Sequence, residues 1–404
     1  ASAREAERRS VQTIRTDVGI VGAGPAGLLL AHLLHQHGIE SVVLESRSRD
    51  HVEHRVRAGV IEHGTANLLE DCGVGERMRR EGLVHTGVEL LFDRTRHRIP
   101  LSDLAGGRSI VVYGQQEVVK DLIAARLAAG GTLLFDSEAT GLEDISGERP
   151  AIRFVAGGEE GRLECEVIAG CDGFHGISRH APPPGALQLH TRDHPFGWLG
   201  VLAAAAPANE ELVYCRSEHG FALLSMRTPQ ISRLYLQVAP DEPLADWPDE
   251  RIWAELARRL VTDDGWTVTP GPVLEKGVTA MRSCVVEPMR YGSLYLCGDA
   301  AHIVPPTGAK GMNLAIADVA LLAEALAARF HKGDERLLEG WSDSCLRRVW
   351  RAQEFSTYLT TMLHVRRDDE FDTRLQEARL RYLVDSPAAA TSMAERYVDL
   401  SSMR

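Results

Sequence analysis

Asp17-Val18-Gly19-Ile20-Val21-Gly22-Ala23-Gly24-Pro25-Ala26-Gly27 is the stretch from which the rest of the chain is read. An apolar run ends in Gly22-x-Gly24-x-x-Gly27, and helical spacing resumes at Leu28, Leu29, Ala31, Leu33 and Leu34. A second apolar run over residues 41–44 stops at Glu45. This pattern is one βαβ unit with an acid at the tip of its second strand. Each residue type has a physical role in a dinucleotide site. Gly22 permits the tight turn, Gly24 lets a diphosphate approach the backbone, and Gly27 brings helix and strand together, with Ala26 as the small residue beside it. The helix N-terminus then faces the diphosphate, and Glu45 can accept from a ribose.

Outward from this unit, the spacing predicts a helix over residues 61–72, strands over 87–92 and 109–113, and a helix over 116–129. Strands are expected near 133–136, 151–155 and 164–169. From about His190 the texture changes to short alternating segments, with strands at 197–203, 211–215, 220–227 and 233–238, then a helix from Asp249. A strand is expected again over 293–298, and everything from Asn313 reads as helix. The polar opening carries Arg4, Arg8, Arg9 and Arg15 and reads as a frayed leader.

Composition narrows the function. The chain has 404 residues, 44% hydrophobic and 25% charged, with a formal net charge of −12. That balance argues against nucleic acid or an anionic membrane as the main partner. The 7 cysteines are scattered without a C-x-x-C pair, which disfavours a disulfide scaffold or a zinc site and fits a reducing cytoplasm. No run of about 18 residues is uniformly apolar, as a membrane-spanning helix requires. Spacing also pairs Ser225 with Arg227 and Arg233 with Tyr235, each two apart on one strand face. With residues 228–232 as the loop, Arg227 should oppose Arg233 and Ser225 should oppose Tyr235. Such a patch is either a solvated hairpin or a carboxylate site.

Two further segments identify the dinucleotide: Gly170-Cys171-Asp172-Gly173-Phe174-His175-Gly176-Ile177-Ser178-Arg179, and Gly298-Asp299-Ala300-Ala301-His302 leading to Pro305-Pro306-Thr307-Gly308-Ala309-Lys310-Gly311-Met312-Asn313. With the first glycine motif they resemble the single-component, FAD-dependent aromatic hydroxylases, and the similarity runs from about Thr16 to Leu400. The resemblance implies an α/β fold: a Rossmann-like FAD-binding domain, an inserted, mainly antiparallel β-sheet substrate domain, and a helical C-terminal region. The expected boundaries are a flexible leader at 1–16, the FAD-binding domain at 17–84, 109–189 and 280–312, the substrate domain at 85–108 and 190–279, and the helical region at 313–404.

By the same resemblance, FAD is bound, and NADH or NADPH and O2 are co-substrates. The implied activity is hydroxylation of 4-hydroxybenzoate to 3,4-dihydroxybenzoate by oxygen activated on the reduced flavin. FAD contacts fall on Gly22, Gly24, Ala26, Gly27, Glu45, Arg55, Val56, Arg57, Ala58, Gly59, Val60, Gln115, Arg233, Asp299, Met312 and Asn313. Tyr214, Ser225, Met226, Arg227, Tyr235 and Pro306 would hold the substrate. Tyr214, Tyr397 and the Pro306 carbonyl would act at its phenol oxygen, and His85 at the outer end of a proton relay. His175, Arg179 and Arg282 would meet the nicotinamide coenzyme. Residues 46–54, which choose between coenzymes in this family, depart from its pattern: Arg47 and Arg49 suit a 2′-phosphate, whereas Asp50 and Glu53 repel one. The expected partner is a small aromatic acid rather than nucleic acid or membrane, and a homodimer stays open. So do the same chemistry on a substituted 4-hydroxybenzoate or 4-aminobenzoate, and, in another class, a non-catalytic flavin-fold module.

Overall fold

The structure, a computed structural model, describes residues 12–55, 59–366 and 369–399. Its first βαβ unit is β1 (Val18–Val21), α1 (Pro25–Gln36) and β2 (Ser41–Leu44). Both strands are buried on both faces, the state that a parallel sheet covered by helices imposes. β3 (Val167–Gly170) lies parallel to β1 on its other side.

A second, eight-stranded sheet follows. Its centre is built from β4 (Gln188–Ala203), β5 (Val213–Ser217), β6 (Gly220–Thr228), β7 (Ile231–Val238) and β8 (Val273–Glu287). β4 runs antiparallel to both β7 and β8. The chain then returns to the first sheet as β9 (Leu294–Leu296), which pairs with β3. The C-terminal part of the chain is helical: α2 (Gly311–Lys332), α3 (Trp341–Leu363) and α4 (Pro387–Val398), with the helices Arg336–Glu339 and Glu370–Asp385 between them. α2 is long and apolar enough to cross a membrane by length and composition only. Leu314, Ile316, Val319, Leu322 and Leu326 nevertheless bury its inner face in the main core, so its composition is that of a core helix.

Several expectations are corrected. Gln12–Arg15, assigned to the leader, forms a strand parallel to Glu159–Glu164. Residues 164–169, read as one strand, divide between that edge strand and β3. The expected boundaries at 189/190 and 279/280 fall inside β4 and β8. These two strands are 16 and 15 residues long and continue from one region into the other, because their mutual pairing extends from Gln188–Glu287 to Ala203–Val273. The second sheet also takes in Val88–Phe92 and Thr95–Ile99 from the early part of the chain. All 7 cysteines are buried as free thiols.

Candidate active site

The β1–α1 turn is shaped by what its glycines must avoid. Gly22 has φ +103°, and a Cβ there would fall 2.3 Å from the Cys171 carbonyl oxygen. At Gly27 a Cβ would lie 2.0 Å from the Gly22 oxygen, so the helix could not seat against the strand. Gly24, by contrast, faces open space, and no side chain caps the N-terminus of α1 beyond it. Open amides beside a bare backbone are what a diphosphate requires. Glu45 accepts from the Ala23 amide at 2.8 Å and from the Arg47 amide at 2.8 Å. It therefore braces the glycine turn, and a carboxylate's remaining lone pairs are still available to a ribose.

The second half of the cradle comes from the far end of the chain. Gly298, at φ +63°, donates its amide to Asp318 Oδ2 at 3.0 Å, placing Asp299 in a short 3-10 turn. His302 Nε2 reaches the same oxygen at 2.7 Å; a carboxylate only accepts, so Nε2 carries the proton. Burial alone would lower the pKa of His302, but the Asp318 charge outweighs it and raises the value. Asn313 spends its whole amide on the backbone, donating to Val60 and Ala309 and accepting from Glu62. That ties Val60 to the start of α2, whose N-terminus carries no side-chain cap and no acid in its first turn. Gly59 is buried beside Tyr113, Gln115 opens the helix Gln115–Ala128, Met312 packs at the core edge, and Arg55 is exposed. Val56, Arg57 and Ala58 lie outside the described residues. Two uncapped helix N-termini and a glycine turn open at Gly24 fit FAD.

In the second sheet the hairpin pairing differs from the expectation. The turn is only Pro229-Gln230 between Thr228 and Ile231, and the ladder shifts between Met226 and Thr228. Ser225 therefore opposes Arg233, and Leu223, not Ser225, opposes Tyr235. Arg227 becomes the extra residue of a bulge, which re-aims its side chain out of the alternating pattern. Arg233 Nε donates to the Tyr235 hydroxyl at 3.2 Å, and its guanidinium lies 5.2 Å from that ring. Arg227 Nη1 donates to the Met226 carbonyl at 3.2 Å. Burial lowers the pKa of Arg227, an effect offset by the Tyr235 hydroxyl and reinforced by Arg233. Ser225 and Met226 are buried. Two guanidinium groups beside one tyrosine hydroxyl are donors of the kind that a carboxylate or a phosphate takes.

Opposite this patch, the Tyr214 and Tyr397 hydroxyls meet at 2.5 Å. Tyr214 also donates to the Thr307 carbonyl at 3.2 Å, which leaves Tyr397 as the donor between the two tyrosines. Burial pushes both phenol pKa values up, so both stay protonated at neutral pH. The carbonyl that meets Tyr214 is that of Thr307, in the short turn that Pro306 opens. Below it Lys310 Nζ donates to Glu62 at 2.8 Å and to the Tyr397 carbonyl at 2.9 Å, with Lys310 only 1% exposed.

His85 behaves differently from its expected role. It is 2% exposed, neither ring nitrogen has a hydrogen-bond partner, and burial pushes its pKa down to about 4 against the pull of Glu211. No hydrogen bond joins it to the tyrosine pair, and it is not at the protein surface. The residues expected to meet the coenzyme come together around Phe174. Its ring lies 4.2 Å from the Arg179 guanidinium, 5.0 Å from that of Arg282 and 5.2 Å from His175. Arg49 is paired with Glu53 at 2.7 Å, within the helix Arg49–His54.

Lys310, Glu62, Thr307 and Asp318 escaped sequence reasoning. A lysine in a glycine-rich run reads as a surface charge, and its partner Glu62 lies 248 residues away.

The whole arrangement belongs to one class. Residues 15–356 match the family model described as an FAD binding domain. The chain belongs to this family of FAD-dependent aromatic monooxygenases; it binds FAD and uses NAD(P)H and O2. Within it, the chain is 44% identical over 391 residues to p-hydroxybenzoate hydroxylase of Acinetobacter baylyi, covering 96% of both chains. It is 28% identical to 3-(3-hydroxy-phenyl)propionate/3-hydroxycinnamic acid hydroxylase of Mycobacterium avium, covering 78% of this chain and 55% of that one. The fold matches that of p-nitrophenol 4-monooxygenase from Pseudomonas putida with a TM-score of 0.83, at 18% identity and covering 98% of this chain and 100% of that one.

Proposed function

We propose that this enzyme hydroxylates 4-hydroxybenzoate at the 3-position, giving 3,4-dihydroxybenzoate. One observation carries the reading: a half-buried cationic patch of Arg227 and Arg233 beside Tyr235, and a buried pair of neutral phenols at Tyr214 and Tyr397, flank the same hydrophobic cluster of the second sheet. A benzoate with a hydroxyl para to its carboxylate has one group for each.

When bound, FAD supplies the reducing equivalents taken from NAD(P)H and the activated oxygen atom. The protein's part is to hold and ionise the substrate. Arg227 binds the carboxylate through a charge-assisted contact, supported by Ser225 and Tyr235. Arg233, cross-strand from Ser225, would help hold the flavin. Tyr214 turns its Oη–H from the Thr307 carbonyl to the phenol oxygen of the substrate while still accepting from Tyr397, and so stabilises the phenolate left when the phenol proton passes to solvent water. The resulting phenolate is richer in electrons at its ortho carbon than the phenol, and both tyrosines remain donors because burial opposes their ionisation. The same burial keeps water from the reacting atoms. His175, Arg179 and Arg282 form the docking patch for the phosphates of the nicotinamide coenzyme.

The test is to purify the protein, record its visible spectrum, and follow NADH and NADPH oxidation with and without 4-hydroxybenzoate, identifying the product. A yellow protein whose oxidation rate rises with this acid and yields 3,4-dihydroxybenzoate supports the reading; oxidation indifferent to the acid overturns it.

A further inference from the structure

Both ends of the pocket are tied to a single turn of α3. At the phenol end, the carbonyl of Thr307 accepts from Tyr214, and its hydroxyl meets Thr360 Oγ1 at 2.8 Å. Thr360 Oγ1 spends its only proton on the Ser356 carbonyl at 2.7 Å, so the Thr307 hydroxyl is the donor to Thr360. One turn later the Thr360 carbonyl accepts from His364 Nδ1 at 3.0 Å. His364 Nε2 faces Trp198 Nε1 at 2.7 Å. An indole N–H only donates, so Nε2 is bare and the imidazole is neutral, a state its burial also enforces by pushing the pKa down to about 3. The Trp198 ring then packs against Tyr235 at 4.8 Å. Thr307, Thr360, His364 and Trp198 are all buried, at 0%, 0%, 1% and 5% exposure, so water does not replace any of these bonds cheaply.

We propose that Thr360 is a positioning residue for the aromatic substrate. Its hydroxyl steadies the Thr307 carbonyl that orients Tyr214, and its carbonyl, through His364 and Trp198, seats Tyr235. The one turn thereby sets the separation between the phenol and carboxylate contacts. This rests on the 4-hydroxybenzoate reading above.

The experiment uses the holoenzyme as wild type, Thr360→Val and Thr360→Ser. For each, the ionisation of bound 4-hydroxybenzoate is read by difference absorbance across pH, and hydrogen peroxide released is measured per NAD(P)H consumed. Expected for Thr360→Val are a bound-phenol pKa raised by about one unit, several-fold more peroxide per turnover, and a substrate Kd altered far less. Thr360→Ser, which keeps the hydroxyl, should restore both readouts. Equal pKa and coupling in wild type and Thr360→Val would overturn the inference, as would a serine variant no better than valine. Should the valine variant fail to fold, Thr307→Val removes the same hydrogen bond from the other side and is judged by the same two readouts. A wild type that ignores 4-hydroxybenzoate instead overturns the substrate reading, and the inference with it.

Discussion

The hydroxyl oxygens of Tyr214 and Tyr397 lie 2.5 Å apart, although 183 residues separate them along the chain. One sits on β5 and the other on the last described helix, so the contact exists only once that helix has packed against the second sheet. Replacing Tyr214 by Phe removes the hydroxyl that donates to the phenolate oxygen but leaves the ring in place. Substrate affinity should change little, while product per NAD(P)H falls and peroxide rises. Product yield equal to that of wild type would count against the role.

Arg227 tests the other end of the pocket. A buried charge-assisted contact of this kind is worth about 2–5 kcal/mol. Arg227→Ala should therefore raise the KM for 4-hydroxybenzoate about 30-fold or more, with FAD content unchanged. Near-normal affinity for the carboxylate would show that the patch binds something else.

Lys310 and Glu62 are a buried ion pair, and removing one partner strands the other. Burial lowers the Lys310 pKa and the Glu62 charge opposes that shift. Lys310→Met should destabilise folding by about 3–5 kcal/mol, and adding Glu62→Met should recover most of the loss. Urea unfolding of the two variants checks this; a double variant as unstable as the single one would contradict it.

Acid should weaken the fold through two histidines. Burial holds His85 down to about 4 and His364 to about 3, against an ordinary value of about 6.5. Between those limits the unfolded chain binds protons that the folded chain refuses, so stability falls as pH drops from about 6.5 towards 4. His85→Gln should flatten that slope by up to ~1.4 kcal/mol per pH unit. An identical pH dependence in wild type and variant would rule out this origin.

The cofactor half of the site was legible because its chemistry is local. Gly22, Gly24, Gly27 and Glu45 fall within one βαβ unit, and each residue type answers to a short-range need: a positive φ, a close approach, an acceptor at a strand tip. The turn at Gly298–Ala300 was legible for the same reason, as part of a continuous run after a strand. The hairpin was half legible. Alternation placed Ser225, Arg227, Arg233 and Tyr235 on facing strands, but the bulge at Arg227 depends on a two-residue turn that alternation does not report. His85 was the misplacement: a histidine in a short strand carries no mark of whether a side chain will cover it.

What the sequence determined by itself is therefore the nucleotide-binding unit, the return of the chain to it near residue 294, and the kinds of group available to a phenolic acid. Only the tertiary structure decided which carbonyl meets Tyr214, that Lys310 is buried against Glu62, and that one turn of α3 holds both ends of the pocket. The physical reason is range. Backbone turns and periodic faces are set by residues a few positions apart, whereas these contacts join segments 53 to 248 residues apart. They form only where long-range packing has already excluded water.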